Sequence, residues 1–164
     1  MIKDENKVPQ FLKMLEELST THLEIGIFGD TGLGASSYMD ESGNTVELLI
    51  IATVHEFGTT IKLKNGGKIV IPERSYLRST FDNEKSKIVD KCDKLLESVI
   101  NLKLPVEVFF QTIGEYIVGL VQGTLTDLKD PGLSDPTIKA KGSSNPLIDT
   151  GRLRQSITYK VVRK

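Results

Sequence analysis

The sequence is poor in the residues on which much small-protein chemistry depends. One cysteine, Cys92, and two histidines, His22 and His55, occur in 164 residues. A lone cysteine closes no internal disulfide, which removes the case for a stapled secreted scaffold and makes a reducing cytoplasm the expected setting. The same scarcity leaves a structural zinc site without enough ligands. No apolar run approaches the ~20 residues of a membrane span. Met1 to Lys7 lead into an amphipathic segment and not into the continuous apolar stretch of a secretory signal. Charge of one sign is also missing. Lys and Arg number 21 against 22 Asp and Glu, so the total does not mark a dedicated nucleic-acid or membrane-surface binder, and charge effects must be local. What remains is a soluble chain whose length suits one domain, residues 1–164, with one real core.

The apolar residues are placed with a clear period. Val8, Phe11, Leu12, Leu15 and Leu18 recur at helical spacing and predict an N-terminal helix within residues 1–20. Leu23, Ile25 and Ile27 alternate, as in a strand with one face in a core, and Gly29 and Asp30 end it. Residues 31–44 are rich in Gly, Ser and Asp without a period and read as an exposed loop. Val46 to Phe57 reads as a short apolar helix with Gly58 placed to cap it. Asn65-Gly66-Gly67, between Ile61-Lys62-Leu63-Lys64 and Lys68-Ile69-Val70-Ile71, predicts a β-hairpin. After Pro72, Leu77, Phe81, Ile88, Cys92, Leu95 and Val99 form one helical stripe, broken at Pro105. A second long helix follows to about Leu128, with Pro105 suited to its first turn and a broad apolar face from Phe109 to Leu125. Residues 129–148 hold Pro131, Pro136 and Pro146 and read as a second exposed loop. Ser156 to Val162 alternate again and should return to the sheet. The expected class is α+β: a mainly antiparallel sheet with a hairpin, packed against two long helices and shorter ones.

Each candidate for chemistry has an ordinary reading that outweighs it. Gly29 to Ser36 has the glycine spacing of a phosphate loop, but Ala35 stands where the lysine belongs and no helix is expected next. His55-Glu56 opens like a zinc-protease helix, yet Thr59 stands where the second histidine would be. Helix capping beside the hairpin suits this pair better. Cys92 lies on an apolar stripe and reads as a core residue. Gly119 and Gly123, on one helix face, suggest close helix packing. Lys139, Lys141, Arg152 and Arg154 gather on the second loop and its flank, where an acidic partner or DNA phosphates would meet them, although a solvated surface is the simpler reading. Asp149 and Thr150 before Gly151 read as a capped turn that sets the start of the last strand. Neither clustered metal-binding carboxylates nor a nucleophile with its base is legible. No enzyme activity, metal or cofactor is expected.

Three ordered segments, His55-Glu56-Phe57-Gly58, Ile71-Pro72-Glu73-Arg74-Ser75-Tyr76-Leu77-Arg78 and Leu147 to Ile157 with its Asp149-Thr150-Gly151-Arg152 turn, resemble the tail-completion and neck proteins of long-tailed phages and prophages. The lambdoid minor tail protein Z group and the Mu-type virion morphogenesis protein G are the relatives meant. Leu133 to Gly142 is similar to the loop before the last motif in that family. The resemblance spans roughly residues 22 to 162. It implies a structural virion protein that completes the tail end or joins tail to head, with no catalytic residues to transfer. It also implies partners among connector, tail terminator and tail tube proteins, a homo-oligomer of the hexameric-ring kind, and residence in the virion after assembly in the host cytoplasm. DNA would be touched only in the channel, and no membrane contact is implied. Residues placed for assembly contacts are His55, Glu56, Arg74, Lys139, Lys141, Arg152 and Arg154; loops 31–44 and 129–148 would settle against neighbouring subunits. A prophage-encoded regulatory or host-directed binding protein is the alternative.

Overall fold

The computed structural model describes residues 6–30, 37–39, 45–63, 66–128 and 151–164. Helix α1 (Val8–Thr20) carries Pro9, whose fixed φ suits a first turn, with the Asn6 side chain accepting from the Val8 N–H at 3.1 Å. Strand β1 (Thr21–Gly26) follows directly. Strands β2 (Ser37–Met39) and β3 (Thr45–Glu47) form a small antiparallel pair ahead of α2 (Leu48–Phe57). Strands β4 (Thr59–Lys62) and β5 (Lys68–Ile71) make the expected hairpin, with Gly66 at φ +84° in its turn. Then come the long helices α3 (Tyr76–Ile100) and α4 (Val106–Asp127), the short α5 (Arg152–Ser156) and strand β6 (Thr158–Arg163). The class is α+β, and every described strand pairing is antiparallel.

The core is built on α4, which carries buried residues on one stripe: Val106, Phe109, Ile113, Ile117, Val121 and Leu125. One flank meets α3, and the chains run antiparallel, because the Thr80 hydroxyl near the start of α3 shares a 2.7 Å hydrogen bond with the Thr124 hydroxyl near the end of α4. The opposite flank meets the β1–β6 pair, registered Leu23 to Val161 and Ile25 to Tyr159. The closest approach lies at Gly114. A Cβ there would sit 2.5 Å from the Tyr159 ring, so only glycine lets the strand pair lie on the helix.

Several expectations need correction. The strands do not merge into one sheet among the described residues; they form three two-stranded pairs. Part of the predicted loop 31–44 is strand β2, because Thr45 to Glu47 offers it a paired edge, and the helix read from Val46 starts at Leu48. Pro105 is the residue before α4, not in its first turn. Gly151, at φ +72°, opens the helix α5 where a turn was expected; Asp149 and Thr150 lie outside the described residues, as do 31–36, 40–44 and 129–150. Gly119 and Gly123 do not mediate close packing, since a Cβ on either would touch nothing within 4 Å. They floor an open groove of about 570 Å³ between α3 and α4.

Candidate functional site

The end of α2 and the start of α3 interlock through the hairpin that joins them. Gly58 ends α2 at φ +67°, and a Cβ on it would lie 2.7 Å from the Glu73 nitrogen and 3.0 Å from the Ile71 carbonyl. Glycine is therefore required twice over, by conformation and by space. The returning chain is tied at once: the Arg74 N–H donates to the His55 carbonyl at 2.7 Å. Glu56, only 4 % exposed, then caps α3 from another helix. Its carboxylate accepts from the Leu77 N–H at 2.9 Å, the Arg78 N–H at 3.1 Å and the Arg78 Nε at 3.2 Å. The first turn of a helix has unsatisfied donors and a positive dipole end, and a carboxylate answers both. Ser75 holds the cap position by sequence yet makes no side-chain cap bond; the distant glutamate replaces it.

Arg78 closes the joint on its outer side. Its Nη2 donates to the Glu56 carbonyl at 2.8 Å and to Glu73 Oε1 at 2.9 Å, while its guanidinium lies 4.6 Å from the centre of the Phe57 ring. Beneath it Tyr76 is buried, and burial first and the Glu56 charge second hold its hydroxyl well above the usual phenol range. The joint is thus an arrangement that fixes geometry: the Arg78 guanidinium held between two carboxylates, an aromatic ring against it, and a helix start.

The hairpin that leaves this joint is almost uncovered. Ile61, Leu63, Ile69 and Val70 are all exposed, Val70 at 68 %. Lys62 stands directly opposite Lys68. A second uncovered apolar surface lies on α1, where Met14 is buried and Leu18 partly so, while Val8, Phe11, Leu12 and Leu15 face outward. The period of α1 was legible in the sequence, but which part of its stripe meets the core was not.

The predicted contact residues divide into groups. His55, Glu56 and Arg74 come together in the joint. Glu56 and Arg74 are each 4 % exposed, so in this fold both residues lie within the chain and not on its surface. Burial also lowers the pKa of the Arg74 guanidinium. Arg152 and Arg154 are exposed on α5, which is held to α4 by Gln122 Nε2 donating to the Arg154 carbonyl at 3.1 Å. Lys139 and Lys141 lie outside the described residues. Sequence reading missed Phe57 and Arg78, both inside the quoted segments, and the exposed hairpin residues. The signal for the latter was the mixture of lysines with Ile61, Leu63, Ile69 and Val70 on both sides of the Asn65-Gly66-Gly67 turn.

Other candidates fall to structural roles. Cys92 is half-buried on α3, and burial, followed by the Asp93 charge, raises its thiol pKa. Asp30, from the phosphate-loop-like stretch, instead receives Lys160 Nζ at 2.8 and 2.9 Å, and the same ammonium lies 4.4 Å from the centre of the Phe28 ring. Among the described residues no group of three or more His, Cys, Asp or Glu side chains is gathered to hold a metal, and no helix is long and apolar enough to cross a membrane. Comparison with protein-family models, curated proteins and solved structures returns no match.

Proposed function

We propose that this chain is a structural virion protein of a long-tailed bacteriophage, completing the tail end or joining tail to head at the neck, and that it works by contact and not by catalysis. One observation carries the reading beyond the sequence resemblance. His55–Gly58 and Ile71–Arg78, two of the segments on which the resemblance rests, form a single rigid joint whose product is an outward hairpin with uncovered apolar residues. An isolated two-stranded hairpin is marginal in water. A subunit that holds one rigidly at its root and leaves Ile61, Ile69 and Val70 bare is built to be covered by something else. On this reading the chain acts as a homo-oligomeric ring among other neck and tail proteins, where one surface meets a different surface on the next copy.

The test is electron microscopy of lysates from a phage or induced prophage deleted for this gene, with a complemented control. DNA-filled heads and separate tails should accumulate. Normal infectious particles from the deletion would sink the reading and favour a regulatory or host-directed binding protein.

A further inference from the structure

The two uncovered apolar surfaces lie at opposite ends of the molecule. The hairpin leaves the amino end of α3, whereas α1 sits by the turn at its other end, where Gln10, Met14 and Glu17 line a hollow with Leu102 to Val106. The 25 residues of α3 put about 37 Å between those ends. One copy therefore cannot cover its hairpin with its own α1.

The two surfaces also complement each other in charge. Strand alternation puts Lys62, Lys68 and Val70 on one face of the hairpin. Two lysines directly across a strand pair repel, and neither has a carboxylate within ion-pair distance among the described residues. From Thr59 to Ile71 the sequence holds three lysines, Lys62, Lys64 and Lys68, and no acid. On α1 the outward arc carries Val8, Leu12 and Leu15 with Glu16, which follows Leu12 by one turn and makes no described ion pair. Lys13 flanks that arc on the side of the hollow.

We propose that the hairpin of one copy docks on α1 of a second copy, head to tail, with Val70 against Leu12 and Leu15 and Glu16 received by Lys62 and Lys68. The contact joins different surfaces, so it propagates from copy to copy and closes into a ring if the rotation suits. It rests on the reading of the chain as a ring-forming subunit, and it names which surfaces form the ring.

Disulfide trapping tests it. In a Cys92→Ala background, Val70→Cys and Leu12→Cys are combined in the full chain, and the concentrated protein is mildly oxidised. The contact predicts a ladder of covalent dimers, trimers and larger species, whereas either single variant stops at dimer. Adding Glu16→Lys should remove most of the ladder, and Lys62→Glu with Lys68→Glu should then restore it. Far-UV circular dichroism checks that each variant is folded. Monomer alone, or dimer alone, from the folded double variant would overturn the proposal. If that happens while the protein is found in purified particles, the contact falls and the virion reading stands; a ladder from a protein absent from particles separates the two the other way.

Discussion

Glu56 is the residue on which most of the joint converges, and its removal has a calculable consequence. Glu56→Ala leaves the Leu77 and Arg78 N–H groups and the Arg78 guanidinium without their common acceptor. Losing a charge-assisted cap of this kind costs about 2–3 kcal/mol, which for a chain of this size lowers Tm by roughly 5–10 °C. Glu56→Gln keeps an acceptor oxygen but not the charge, so its loss should be about half as large. Thermal unfolding followed by circular dichroism separates these outcomes, and an unchanged Tm in Glu56→Ala would refute the cap. The Asp30–Lys160 pair makes a pH prediction at the same scale. The hydrogen bond from Lys160 is the largest cause lowering the Asp30 carboxyl pKa. A carboxyl with a depressed folded pKa stabilises above its unfolded value, about 3.9, and loses that stability as pH falls through the folded value. Urea unfolding should therefore find the wild type more stable than Asp30→Asn at pH 6, with the gap narrowing as the pH falls below about 3.9. A gap equal at both pH values would show that the ammonium does not recognise the carboxylate charge.

At the scale of elements, three glycines of α4 separate packing from propensity. Gly114→Ala drives a methyl group into the Tyr159 ring, at 2.5 Å. Overpacking of this sort costs ~1–3 kcal/mol and exceeds the ~1 kcal/mol that alanine gains in a helix. Gly119→Ala and Gly123→Ala meet nothing within 4 Å and should each stabilise by up to ~1 kcal/mol. Chemical denaturation of the three variants reads both signs at once; destabilisation at Gly119 would mean that the groove it floors is closed in solution. The contrast also shows where sequence reading reaches its limit. Spacing singled out Gly119 and Gly123 because they share a face, but the glycine that matters contacts a strand 45 residues later, and no local pattern announces it. Both long helices, the hairpin and a final strand were legible, because each rests on a period or a turn residue within a short window; that this strand pairs with β1 was not. Strand β2, which needs β3 as a partner, was not legible either; helix capping by the His55–Glu56 pair was read, but not that Glu56 caps α3 across 21 residues to Leu77. For α1 the sequence shows an apolar stripe and leaves open whether the cover is this chain or another.

Among the described residues, the hairpin and the outer side of α1 are apolar surfaces left exposed around a helical core. On the assembly reading proposed above, that architecture lets stability and assembly be tested apart. Side chains such as Ile69 and Val70, 46 % and 68 % exposed, contribute little to folding, so Ile69→Thr with Val70→Thr should change stability by no more than ~0.5 kcal/mol per site. Threonine keeps the β-branch that the strands favour, and the joint at Glu56 and Arg78 is untouched. If the hairpin is an assembly arm, the folded variant still fails in the particle, because exchanging bare apolar side chains for hydroxyls removes the burial that drives association. The measurement is complementation of the gene deletion. Cells supplying the double variant should accumulate the folded protein at normal levels yet yield few infectious particles, with the deletion's morphology under the microscope. Particle yield equal to wild type would remove the hairpin from assembly, and the apolar surface of α1 would then be the one to alter next.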